Sequence, residues 1–66
     1  MSKYTEQQYN DAVLAVVKSG RASTAFVSRE LSIPYLLAVD IMLDMEKNGI
    51  VSEPNYVGKR QIINDD

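Results

Sequence analysis

Apolar residues recur at three- and four-residue spacings along the first third of the chain. Tyr9, Ala12, Val13, Val16 and Val17 form one stripe, with Leu14 beside it, the mark of an amphipathic helix. Thr5 and Gln8, three residues apart, supply a capping box in which each side chain satisfies an orphan backbone N–H of the other. Gly20 follows as a left-handed C-cap. These signals predict a helix over about 5–19.

A second, shorter pattern begins at Ser23 or Thr24, either of which can cap a helix over about 24–31. It turns Phe26, Val27 and Leu31 inward and leaves Arg29 and Glu30 outside. Arg21, Ala22 and Ser23 supply a short strand between the two helices. Pro34 biases Ile33 away from helix and suits the first turn of a new one, so a third helix is predicted over about 34–48, ended by Gly49. Ile50 and Val51 open an extended segment, Pro54-Asn55 and Gly58 mark a loop, and Lys59 to Ile63 read as the returning strand. The expectation is therefore one domain over 1–66, mainly α with a small β-hairpin. Helices over about 5–19, 24–31 and 34–48, with a wing hairpin over about 50–63, follow the order of a winged helix-turn-helix with a two- or three-stranded wing sheet. The tail, Asn64 to Asp66, is expected to fray.

Composition narrows the function. The 66 residues, 45% hydrophobic and 24% charged, describe an ordinary globular domain with room for one core. Cysteine and histidine are both absent, which removes the commonest nucleophile, the commonest general base and most zinc ligand sets. The chain is read as no enzyme, and as carrying no cofactor. It has no apolar run of membrane-spanning or signal-peptide length, so a cytoplasmic protein that leaves membranes alone is expected. The formal net charge of -2 opposes long-range attraction of nucleic acid.

From about Tyr9 to Ile63 the chain resembles the gamma domain of FtsK-type DNA translocases. The resemblance rests on Tyr9-Asn10-Asp11-Ala12-Val13, on Arg21-Ala22-Ser23 with Val27 and Arg29, and on Leu31 and Ile33 with Tyr35. It continues through Met45-Glu46 and Gly49-Ile50-Val51-Ser52-Glu53, with Gly58 and Arg60 where that family has its wing. The resemblance implies a winged helix that reads a short G-rich orienting sequence in double-stranded DNA and activates a partner tyrosine recombinase. Most of these residues are core or capping positions, which carry the fold further than the function. After the shared tyrosine the family places Asn and Arg, two small residues and another Arg, where this chain has Leu36, Leu37 and Asp40. Without the amide and the two guanidinium groups, bidentate purine reading from those positions is lost.

At about 100° per residue, Ala38, Ile41, Met42 and Met45 share a core face of the third helix, with Tyr35 and Val39 at its edge. Leu36, Asp40, Leu43 and Lys47 share the opposite face, with Asp44 beside them and Leu37 on a flank. Either the helix is simply wide on its apolar side and Leu36 or Leu37 folds back against neighbours, or Leu36, Leu37, Asp40, Leu43, Asp44 and Lys47 form an interface for a partner protein or a second copy. The remaining DNA candidates are Arg21, Ser28, Arg29, Lys59 and Arg60, for which solvated surface charge is the ordinary role. Asp40 and Asp44 make too poor a ligand set for a metal, and none is expected. The acidic side chains of the third helix also suit a basic partner or charge mimicry of nucleic acid. Of the scattered tyrosines, Tyr56 in the expected wing is the one suited to an exposed contact.

The leading expectation is a free-standing, non-enzymatic, DNA-associated regulator, of phage or mobile-element kind, that oligomerises to hold DNA. Its rival is a protein-interaction module or inhibitor that works through the third helix.

Overall fold

The computed structural model describes residues 4–54 and 60–63. Three helices are formed: α1, Glu6–Ser19; α2, Thr24–Leu31; and α3, Tyr35–Lys47. All the boundaries but the start of α3, which has no side-chain cap, are closed by local hydrogen bonds. The capping box predicted at the start of α1 is made, with the Gln8 N–H donating to Thr5 Oγ1 at 3.1 Å and the Thr5 N–H donating to Gln8 Oε1 at 2.9 Å. Gly20, at φ 76°, closes α1 by returning its N–H to the Val16 carbonyl at 2.9 Å, a single-bond left-handed cap. Ser23 Oγ accepts from the Phe26 N–H to start α2.

The ends of α2 and α3 share one motif. The Gly49 N–H reaches Glu46 O and the Ile50 N–H reaches Met45 O, with Gly49 at φ 79°. At the end of α2 the Ser32 N–H reaches Arg29 O and the Ile33 N–H reaches Ser28 O, the same pair of bonds that defines the Schellman ending. Here the left-handed residue is a serine, at φ 55°. Ser28 Oγ donates to Ile33 O at 2.7 Å and ties the turn down.

α2 packs against both other helices, and α1 touches α3 more sparsely. Ala12, Val16, Val27, Ala38, Ile41, Met42, Met45 and Val51 are wholly buried, and Ala22 nearly so, in one cluster. All four residues assigned to the core face of α3 are among them. Phe26, Leu31 and Val13 are partly buried against the cluster, while Val17 faces out, 43% exposed. No helix among the described residues is long and apolar enough to cross a membrane.

The expected wing hairpin does not form among the described residues. Among the described residues there is no β-strand and hence no wing sheet; Val51 and Ile62 meet in a single isolated antiparallel bridge. Two backbone bonds flank it, Ser52 N–H to Gln61 O and Ile63 N–H to Ile50 O, both 2.8 Å. A ladder would need the pairing to continue, and side chains divert the groups that would continue it. The Gln61 N–H donates to Ser52 Oγ at 2.9 Å, and the Ser52 carbonyl accepts from the Arg60 guanidinium at 3.1 Å. Pro54 has no N–H to offer. Nor does Arg21–Ser23 form the suggested third strand, since the Arg21 N–H is taken by Ser19 Oγ. The fold is mainly α, three helices with one bridged crossing of the chain. Tyr56, Gly58 and Lys59, on which the wing expectation also rested, lie outside the described residues.

Candidate nucleic-acid interface

The turn from α1 into α2 opens a cleft of about 730 Å³. It is lined by Gly20–Ser23 and the first turn of α2, a turn shaped by the left-handed glycine and by the Ser19 and Ser23 hydroxyls. Three arginines line it, Arg21 in the turn, Arg29 on α2 and Arg60 beyond α3, together with Phe26 and Glu30. Arg21 and Arg29, eight residues apart, are joined by Arg60 only through the tertiary fold.

The three are held differently. Arg21 is exposed, and its Cζ sits 5.8 Å from the centre of the Phe26 ring, a cation–π distance that restrains a long side chain without neutralising it. Arg29 is exposed and makes no ion pair with a described residue. Arg60 is 11% exposed; it donates to Glu46 Oε1 at 2.6 Å and to the Ser52 carbonyl. Its charge is largely compensated, so the positive charge of the cleft comes from Arg21 and Arg29, set against the Glu30 carboxylate. Ser28 does not join them, because its hydroxyl is spent on Ile33 O, and Lys59 lies outside the described residues.

The residues of the other candidate surface also separate. Leu36 is 78% exposed and Leu43 is 49% exposed, on the side of α3 away from the core, and Lys47 is exposed with them. Leu37 and Asp40 are half-buried. Asp44 is engaged, accepting a hydrogen bond from the Tyr4 hydroxyl. Tyr4 in turn stacks on Tyr9, with ring centres 5.8 Å apart at 18°, and the Tyr9 hydroxyl accepts from Asn48 Nδ2 at 2.7 Å. Burial, then the bond to the Asp44 carboxylate and its charge, push the Tyr4 phenol up to about 12. This cluster clamps the start of the chain to the end of α3, and sequence reasoning missed it. Its partners are 39 and 40 positions apart, beyond any helical or strand spacing. Among the described residues no group of three acidic or other metal-binding side chains converges on a point.

The match to known proteins runs along nearly the whole chain. Residues 3–65 fit the family described as the Ftsk gamma domain. The DNA translocase FtsK of Mesorhizobium japonicum is 42% identical over 59 residues, covering 89% of this chain and 7% of that protein. FtsK of Rhizobium meliloti matches with the same identity and coverage, and FtsK of Caulobacter vibrioides is 42% identical over 55 residues, 83% of this chain and 7% of its own length. The chain thus spans about 7% of the length of these curated relatives. With 63 of its residues inside the matched span, this chain belongs to the FtsK gamma domain family.

Proposed function

We propose that this chain is a DNA-contacting domain with no catalytic chemistry of its own, and that it grips the phosphate backbone through the cleft of Arg21, Arg29 and Arg60. The meeting of the exposed Arg21 and Arg29 with the ion-paired Arg60 on one open cleft carries the reading. Membership of a family whose relatives are named DNA translocases supports it. Arginine suits the role, since its planar fork matches phosphate oxygens. The outward face of α3, with Leu36, Leu37 and Asp40 in place of an amide and two guanidinium groups, offers no bidentate base reading. Binding is therefore sequence-tolerant, and a two- or three-phosphate grip is weak, with a log–log salt slope of about -2 to -3.

Fluorescence anisotropy of a labelled mixed-sequence duplex, at several salt concentrations, tests this. The native chain should bind at low salt and lose affinity steeply as salt rises. Arg21→Ala and Arg29→Ala should each reduce the slope by about one. No salt-dependent binding by the native chain, or slopes unchanged in both variants, would refute it.

A second reading rests on a separate observation, the exposure of Leu36 and Leu43 opposite the core: that face of α3 is a protein interface. Leu36 and Leu43, seven residues apart on one face, form an exposed apolar pair of the kind that marks a contact surface.

A further inference from the structure

The outward face of α3 carries a charge pattern as well as an apolar one. On a helix turning about 100° per residue, Leu36, Asp40, Leu43 and Lys47 fall within about 60° of one another. They lie opposite the buried Ile41, Met42 and Met45. The other acidic side chains of α3 are engaged, Asp44 by Tyr4 and Glu46 by Arg60. Asp40 and Lys47 make no hydrogen bond or ion pair through their side chains with another described residue. The stripe therefore holds one acid and one base, neither held in an ion pair with another described residue, on either side of an exposed leucine.

We infer that a second copy of this chain packs antiparallel across this face, with the two-fold axis at Leu43 and Asp40 of each copy facing Lys47 of the other. Asp40 lies about 4.5 Å before Leu43 along the helix, and Lys47 about 6 Å after it. A two-fold axis through Leu43 reverses the helix and exchanges those two sides, so acid meets base twice. The flexible stem of Lys47 spans the small mismatch. Parallel packing would set like charge on like. Such a contact is isologous, self-complementary and closed. One helix face buries less than the roughly 800 Å² per partner of a stable complex, so the association is weak. None of the cleft-lining residues lies on α3, so both clefts stay open in the pair. The inference rests on the reading of this face as a protein interface and is independent of DNA binding.

Sedimentation equilibrium of the native chain and four preparations, over roughly a hundredfold range of concentration, decides it. The native mass should climb from one copy toward two. Asp40→Lys alone and Lys47→Asp alone should each weaken association at least about tenfold, since each sets like charges opposite one another. An equimolar mixture of those two variants should associate again, because each altered helix then meets its complement. Leu43→Lys should stay monomeric, and circular dichroism should show every variant folded. A native chain that stays monomeric overturns the proposal, as does a mixture that fails to recover. Association lost in Leu43→Lys but kept in both charge variants removes the antiparallel register while the interface reading survives. Native association that Leu43→Lys leaves unchanged removes both.

Discussion

Arg60 and Glu46 form an ion pair at 2.6 Å in which the arginine is the more deeply buried partner. The pair fastens the chain beyond α3 onto that helix, and the same arginine lines the cleft. Its two roles oppose one another, since the carboxylate that holds Arg60 also cancels its charge.

Glu46→Gln should therefore move stability and DNA affinity in opposite directions. Leaving a mostly buried guanidinium without its carboxylate should cost about 1–3 kcal/mol, read as a lower urea midpoint. Freeing the charge should strengthen low-salt binding of the duplex. A variant that weakens both would show that the cleft holds no phosphate.

The Tyr4 phenol, held above its ordinary 10.0 at about 12, predicts a window of alkaline sensitivity. A raised folded value means that the protonated form is the one the fold favours, so its contribution is complete below pH 10.0 and is lost as pH rises through about 12. Absorbance titration should show one tyrosine ionising late. Tyr4→Phe should abolish that late step and flatten the stability profile in this window.

Ser32 occupies a left-handed position that costs a non-glycine residue roughly 1 kcal/mol. Ser32→Gly should relieve most of that and raise the melting temperature by a few degrees. Ser32→Val, β-branched at the same φ, should lower it. Equal melting temperatures in the three proteins would show that the α2 ending is not strained.

Leu36 and Ile41 lie on opposite sides of α3, 78% and 0% exposed. Leu36→Lys should change the stability of the dilute protein by less than about 0.5 kcal/mol, whereas Ile41→Ala should cost about 2–5 kcal/mol and leave so small a domain near unfolding. Chemical denaturation at low protein concentration separates the two.

What was legible in the sequence is local. The α1 cap rests on Thr5 and Gln8, three residues apart, and Gly20 and Gly49 mark endings that almost no other residue makes as cheaply. The core face of α3 follows from the helical period alone, which puts Ala38, Ile41, Met42 and Met45 on one side. The same arithmetic put Leu36 and Leu43 on the other. The expected wing failed for a reason of another kind. Ile50-Val51 and Gln61-Ile62-Ile63 have the residues of strands, but a ladder forms only if each backbone group finds a backbone partner across the pair. The Ser52 hydroxyl and the Arg60 guanidinium reach two of those groups first.

Helix ends and helix faces were determined by the sequence itself, because a cap or a stripe involves residues within one or two turns, whose geometry the helix dictates. Only the tertiary structure decided that Tyr4 bonds Asp44, that Asn48 bonds Tyr9, and that Arg60 pairs with Glu46 at the edge of a cleft shared with Arg21 and Arg29. Those partners meet because three helices pack on a common core, and no spacing along the chain encodes which exposed side chains such packing brings within reach.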